Sequence, residues 1–368
     1  MNILLAPDSF KGTFHSREIS AALEAAILRH HPTAHIKKVV LSDGGEGFVD
    51  AVLSLLPGKV MTHTVTGPYG HSVQAKWAIL SDGTGVIEMA QASGLGLDTR
   101  RNPLAATSFG TGELISQALD AGCQRILLGL GGSATNDGGL DMLKALGAQV
   151  SYIDHNEHFG GAGLNLIDSI DLSSLDPRIL HTKLEVMCDV QNPLLGLDGA
   201  TYTFGPQKGA DHSMLSELEA GLCRLAQVIQ QSTGISLDSY PGGGAAGGMG
   251  AMLLGVLHAN FHLGIDFLLG QSHFEQLVAW ADLVITGEGR IDGQSTQGKV
   301  LSGIGKYCKD VRLLALCGVL GPDYARIYEH HIDGVMPIVS DFMDFPTMLS
   351  KKEEYLKDAA DRLVRLVL

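Results

Sequence analysis

Apolar and polar positions alternate in blocks over the first sixty residues. Ile3 to Ala6 is a short apolar run of the kind that fills a buried parallel strand, and it stops at Asp8-Ser9-Phe10-Lys11-Gly12. Ser16 then reads as the cap of a helix whose apolar positions, Ile19, Leu23, Ala26 and Ile27, recur at helical spacing until Pro32. Val39 to Leu41 predicts the next strand. It ends in Ser42-Asp43-Gly44-Gly45-Glu46-Gly47, before a helix over 48–56. Between about 59 and 90 the pattern changes to three strands, near 60–66, 72–79 and 85–89, joined by Gly67-Pro68-Tyr69-Gly70 and Ser81-Asp82-Gly83-Thr84. Links this short make hairpins, so these strands are expected to run antiparallel.

Further along, a helix near 111–121, a strand over 125–130, the loop Gly131 to Gly139 and a helix to Leu146 follow in turn. Residues 150–182 read as irregular. Strand 184–188, helix 213–232 and the glycine run 242–250 lead to a region from about 281 where the strand–helix grammar returns, closed by a charged amphipathic helix over 350–367. This order predicts an α/β protein. A discontinuous Rossmann-like or flavodoxin-like parallel-sheet domain comes from residues 1–61 and 281–368, and a mixed α/β domain, 62–280, is inserted into it.

The 368 residues suit two domains better than one core. Forty acidic against 26 basic side chains leave a net charge of −14, which argues against nucleic acid or an anionic membrane as partner. Five scattered cysteines with no C-x-x-C pair suggest neither a disulfide framework nor a zinc site. Without a signal-like start or a long apolar stretch, the reading is a cytoplasmic protein with no membrane partner. Glycine changes the picture. Its 47 positions are about twice the usual share, and many fall in loops where backbone can approach a ligand.

In open parallel sheets, ligands sit beyond the carboxyl ends of the strands. Five loops here follow an apolar strand: Asp8 to Gly12, Asp43 to Gly47, Gly131 to Gly139, Asp189-Val-Gln-Asn-Pro193, and Gly287-Glu-Gly-Arg-Ile-Asp-Gly293. Each combines glycine, acidic groups or hydrogen-bonding side chains. Phosphoryl transfer needs that equipment: N–H groups and a cation for phosphate oxygens, carboxylates for Mg²⁺, and a base for the alcohol proton. One such loop alone is an ordinary Asp/Gly turn; five together are not.

Two near-motifs carry less. Gly293-Gln-Ser-Thr-Gln-Gly298-Lys299-Val300 fits the glycine–lysine frame of a P-loop but has Val where Mg²⁺ needs Ser or Thr, so it is rejected as one. Gly129-Leu-Gly-Gly-Ser-Ala134 resembles the phosphate loop of galactokinase-type enzymes, and a helix starting near Asn136 would aim free N–H groups at an anion.

Seven segments in order, Ala6-Pro-Asp-Ser-Phe-Lys-Gly12, Asp43-Gly-Gly-Glu-Gly47, Glu88-Met-Ala-Gln-Ala-Ser-Gly94, Thr107-Ser-Phe-Gly-Thr-Gly112, Gly129 to Gly139, Asp189 to Pro193 and Thr286 to Asp292, resemble the type-1 glycerate kinase family across nearly the whole chain. The resemblance implies ATP as co-substrate, D-glycerate as acceptor and two α/β domains. Bacterial members typically form 2-phosphoglycerate in sugar-acid and glyoxylate catabolism. The sequence itself leaves the 2- and 3-hydroxyl open, and a homo-oligomer stays open as well.

Roles follow from the chemistry. Lys11 and Arg290 are the cations expected to meet carboxylate or phosphate, with Lys11 counted among the catalytic groups. Asp189 is the expected general base or Mg²⁺ ligand, Asn192 beside it, and Asp43 the second Mg²⁺ candidate. Asp8, Ser9 and Glu46 could share metal or substrate duties; Gly132, Ser133, Asn136 and Asp137 form the expected phosphate loop; Glu288 and Asp292 could meet nucleotide or metal. A catalytically silent sugar-acid or nucleotide sensor is the competing class, disfavoured because Lys11, Asp43 and Asp189 are all present. A dinucleotide oxidoreductase fails for want of G-x-G-x-x-G after the first strand. The glycine run 242–250 suits close helix packing and ligand contact equally.

Overall fold

A computed structural model describes residues 1–10, 13–41, 44–296, 300–339 and 344–367. Its strands, in chain order, are β1 (Asn2–Pro7), β2 (His35–Lys38), β3 (Gly58–Thr66), β4 (Ser72–Leu80), β5 (Gly85–Glu88), β6 (Arg125–Gly129), β7 (Gln149–Tyr152), β8 (Ile167–Asp171), β9 (Lys183–Met187), β10 (Asn260–His262), β11 (Leu283–Ile291), β12 (Arg312–Leu320) and β13 (Gly334–Pro337). The chain divides into two compact units. One holds Met1–Asp43, Asp50–Leu56 and Leu263–Leu368, the other Gly44–Val49 and Pro57–His262.

The first unit is built on a five-stranded, wholly parallel sheet of order β13-β12-β11-β1-β2, so strands from both ends of the chain are direct neighbours. Its core joins Ile3 and Leu5 of β1 to the buried stripe Ile19, Leu23, Ala26 and Ile27 of helix Ser16–His30, and to Leu356, Leu363 and Val364 of helix Lys352–Val367. Each large aliphatic side chain buried there is worth about 1.5–3 kcal/mol. Ser16 is the first helical residue rather than the cap. His15 caps, its N–H donating to Glu18 at 2.7 Å, while the Ser16 hydroxyl donates to the Pro7 carbonyl at 2.6 Å and ties the helix to the end of β1.

The second strand also differs from its expectation. It spans His35–Lys38, because that is the segment in register with Asn2 to Leu5, and only Val39 adds one more bond, N–H to Leu5 O at 2.8 Å. As an edge strand it carries exposed His35, Lys37 and Lys38, the kind of charged edge that resists pairing with another chain. Helices Gly264–Gln271 and Phe274–Trp280 belong to this unit. Ile265 packs against Gly303, and the Phe274 and Tyr307 rings meet edge to face at 5.7 Å.

The second unit holds a six-stranded mixed sheet, β10-β9-β6-β5-β4-β3. The β3–β4 and β4–β5 pairs are antiparallel, as the short links require, and β5, β6, β9 and β10 are parallel with their carboxyl ends in line at Glu88, Gly129, Met187 and His262. Trp77, Leu128, Val186 and Leu222 lie in its core. The stretch 150–182 is not irregular throughout: β7 and β8 form a separate antiparallel pair, with Val150 opposite Ile170. Among the described residues no helix is long and apolar enough to cross a membrane.

Candidate functional site

In the first unit the carboxyl ends of the parallel strands surround a cavity of about 430 Å³. β1 stops at Pro7, and the Asp8 N–H still bonds to Gly287 O at 2.8 Å, fixing the following loop against β11. Asp8 is buried, its Oδ1 accepting the Ser9 N–H at 2.7 Å, and both residues line the cavity. Phe10 and Phe14 stabilise this turn by paired backbone bonds of 2.8 and 3.0 Å and an edge-to-face ring contact.

Glu288 and Arg290 were expected in a loop, but β11 runs on to Ile291 and carries both residues on the strand itself. The reason is β12, which is extended too and continues the ladder, Arg290 opposite Val319 and Ile291 opposite Leu320. The strands approach so closely that a Cβ at Gly287 would stand 2.2 Å from Leu316 O, and one at Gly318 would stand 2.3 Å from Gly289 O. Glycines that read as turn residues are here the condition for pairing. With a period of two, Glu288 and Arg290 share one face, and both line the cavity. The Glu288 carboxylate accepts from the buried Ser295 hydroxyl, while half-exposed Arg290 donates through Nε to Asp292 at 2.9 Å. Lys11, Asp43 and Lys299 lie outside the described residues.

A different set collects at the carboxyl edge of the second sheet. The Gly44 carbonyl accepts the Gly131 N–H at 3.1 Å, and a Cβ at Gly44 would stand 2.6 Å from Met187 O, so this turn is pressed onto the ends of β6 and β9 with Glu46 exposed on it. Exposed Gly132 has φ +77°, and its carbonyl accepts from Leu95 N at 2.9 Å. Ser133 beside it is nearly buried. Asp189 and Asn192, both half-buried, follow β9, and Asn192 Nδ2 donates to Asp198 O at 2.7 Å. Glu46, Gly132, Ser133, Asp189 and Asn192 therefore share one sheet edge.

Asn136 and Asp137 lie beneath that edge, wholly buried. Positive φ at Gly138 and Gly139 delays the helix to Leu140–Ala145, so no helix starts at Asn136. Asn136 Nδ2 donates to the Thr201 hydroxyl at 3.2 Å. Asp137 accepts N–H bonds from Ser108 at 2.7 Å and Gly139 at 3.1 Å, and burial, with the Asp141 charge nearby, pushes its carboxyl well above the usual range. The same edge covers Glu88, whose carboxyl is likewise raised by burial.

Sequence reasoning missed Lys208. It ends the short turn Pro206–Lys208, is 2% exposed, and donates through Nζ to the Ser133 hydroxyl at 3.0 Å and the Thr135 carbonyl at 2.7 Å. Burial pulls its ammonium down to about 7, against the pull of Asp137 in the other direction. The segment Gly205-Pro-Gln-Lys-Gly209 marks a tight turn, but only the fold shows that the lysine points inward. The glycine run 242–250 is packing: a Cβ at Gly247 would stand 2.0 Å from Thr135 O, one at Gly244 2.3 Å from Pro193 O, and one at Gly250 2.2 Å from Gly242 O. Among the described residues no group of three His, Cys, Asp or Glu is arranged to hold a metal ion.

The model of the glycerate kinase family matches residues 3–368. The chain is 42% identical to a glycerate kinase of Haemophilus influenzae over 100% of its own length and 99% of the relative's. It is also 42% identical to the glycerate 2-kinase of Escherichia coli, over 99% and 96%. The crystal structure of a candidate glycerate kinase 2 from Salmonella typhimurium LT2 superposes with a TM-score of 0.80 at 40% identity, over 100% of this chain and 98% of that one. With a family match over essentially every residue and relatives of this identity along their whole length, the chain belongs to the glycerate kinase family.

Proposed function

We propose that this chain transfers the γ-phosphoryl group of ATP to the 2-hydroxyl of D-glycerate, giving ADP and 2-phosphoglycerate. The observation that carries the reading is the end-to-end similarity to a glycerate 2-kinase, in a chain whose acidic and glycine-lined loops follow the carboxyl ends of parallel strands in two sheets.

Asp189 is the base in this reading. It takes the proton of the 2-hydroxyl as that oxygen forms its bond to phosphorus and the bond from phosphorus to the ADP oxygen breaks. The Gly132 backbone and the Ser133 hydroxyl are the anion-binding groups of the second unit, held from below by Lys208. Arg290, at the rim of the first unit's cavity, would meet phosphate or carboxylate through its planar fork. Lys11 keeps its proposed role as a catalytic cation, and Asp43 its role as a Mg²⁺ candidate.

Magnesium belongs to the proposal. It takes oxygen donors, usually one or two carboxylates with phosphate and water completing the shell, and Asp8 and Glu288 on one cavity wall are donors of that chemistry. Bound there, Mg²⁺ would offset the charge of the nucleotide phosphates. The test is ADP release coupled to D-glycerate, with phosphorus NMR of the product. A 2-phosphate signal is expected; a 3-phosphate signal would move the acceptor oxygen, and no glycerate-dependent ADP release would end the reading.

A further inference from the structure

Two ligands of unlike chemistry must be bound by a kinase of a small sugar acid, and the cavity of the first unit suits only one of them. The geometry points to this cavity as the pocket for the purine nucleoside part of the nucleotide; the inference rests on the kinase reading above and assigns one substrate within it. Size is the first argument. At about 430 Å³ the cavity falls within the range of pockets that take whole nucleoside-sized ligands, and glycerate would leave most of it empty.

Polarity is the second argument. Phe14, Val300, Val319, Ile338, Val339 and Met348 form apolar walls. A carboxylate with two hydroxyls pressed against them would lose its hydration without gaining hydrogen bonds, whereas a purine presents two apolar faces and keeps its polar edge for backbone groups. Val319 is 41% exposed at the end of β12, and Leu320 beyond it is 37% exposed. The floor is the third argument. Gly289 on β11 and Gly318 on β12 lie side by side, and both line the cavity, so this part of its wall is bare backbone beside Glu288, Arg290 and Val319. The polar groups of its lining are Asp8, Ser9, Thr13, Glu288 and Arg290. A nucleotide with its base against the apolar residues would turn its ribose and phosphates toward those groups.

The test uses a fluorescent methylanthraniloyl-ATP with Mg²⁺ and no glycerate, on the full chain. Val319→Trp and Val339→Trp fill the cavity from two of its lining positions. Each is expected to weaken probe binding about tenfold or more, while the KM for glycerate at saturating ATP changes less than twofold. Unchanged probe affinity in both variants, with unchanged melting temperatures, would overturn the assignment. Photolabelling of the wild-type chain with 8-azido-ATP guards against misfolded variants. Label on peptides of residues 312–320 or 335–339 supports the pocket, and label confined to residues 57–262 overturns it. A wild-type chain that binds the probe at this pocket yet releases no ADP with glycerate would support the pocket and sink the kinase reading instead.

Discussion

The two units hold their chemistry in different ways. In the first, Glu288 and Arg290 sit on the body of a strand, and Asp8 follows one directly, so the backbone ladder fixes them whatever their side chains contact. In the second, Ser133 and the loop around it rest on a buried polar layer of Lys208, Asn136 and Asp137, whose side chains supply the hydrogen bonds. A ladder shares its load over many equivalent bonds. A buried side-chain network concentrates it on a few groups, each costly to leave unpaired. Substitutions should therefore be felt unequally, with large, linked losses of stability and activity around the second sheet edge and mild, ligand-specific ones around the first cavity.

The largest expected effect lies at the second edge. Asp189→Asn keeps the shape of the side chain and removes its capacity to take a proton. General-base loss of this kind costs about 10²–10⁴ in rate, so kcat in the ADP-release assay should fall by that amount with ATP affinity little changed. Near-normal turnover would strip Asp189 of its role. Gly247→Ala comes next, as a test of the layer itself. Its φ of +69° is strained for alanine, and the new Cβ would collide with the Thr135 carbonyl that Lys208 holds. The expected cost is about 3 kcal/mol in denaturant unfolding. Ordinary stability would show that the layer yields more easily than its contacts suggest.

Lys208→Met is smaller and more informative. Methionine fills the space but leaves the Thr135 carbonyl without its donor, for about 1–3 kcal/mol less the saving on a buried amine. The pH dependence carries a sign. Lys208 has its folded value near 7 and an ordinary value of 10.5, so the unfolded chain binds more protons between those limits. Its contribution to stability is thus complete above about 10.5 and lost as pH falls to about 7. The gap between wild type and Lys208→Met should widen from pH 7 to pH 10 in urea titrations. A constant gap would mean that burial does not depress the amine.

Legibility in the sequence follows the same division. Patterns of one period, such as Ile19, Leu23, Ala26 and Ile27 or the hairpins over 58–88, are local, and they were readable because burial follows directly from spacing. What failed was set by partners far away in sequence. Gly287-Glu-Gly-Arg has the composition of a turn, and only the equally extended β12, with Gly318 at the crossing, makes it a strand. Lys208 is 75 residues from Ser133, and nothing in a Pro-Gln-Lys-Gly turn says that its charge is buried. The loops were visible as chemistry, but the layer that supports one of them was not. Asn136 and Asp137 were read as members of a phosphate loop because a helix was expected to begin near Asn136, whereas two left-handed glycines delay the helix and both side chains lie in the interior.

The smallest expected effect tests the first unit's side of the comparison. Ser295 is fully buried, accepts the Asp292 N–H at 3.2 Å and donates to Glu288, so it is a side-chain support of the acidic rim of the cavity. If the ladder is what positions Glu288, Ser295→Ala removes the hydroxyl's bonds to the Asp292 N–H and to Glu288 while the strand keeps the Glu288 carboxylate in place. Stability should drop by no more than about 1 kcal/mol, and the KM for Mg·ATP should rise only a few-fold with kcat nearly constant. The glycerate KM should not move. A loss of turnover comparable to that of Asp189→Asn would contradict the distinction between the two regions, because the first would then depend on one side-chain contact as much as the second depends on its buried layer.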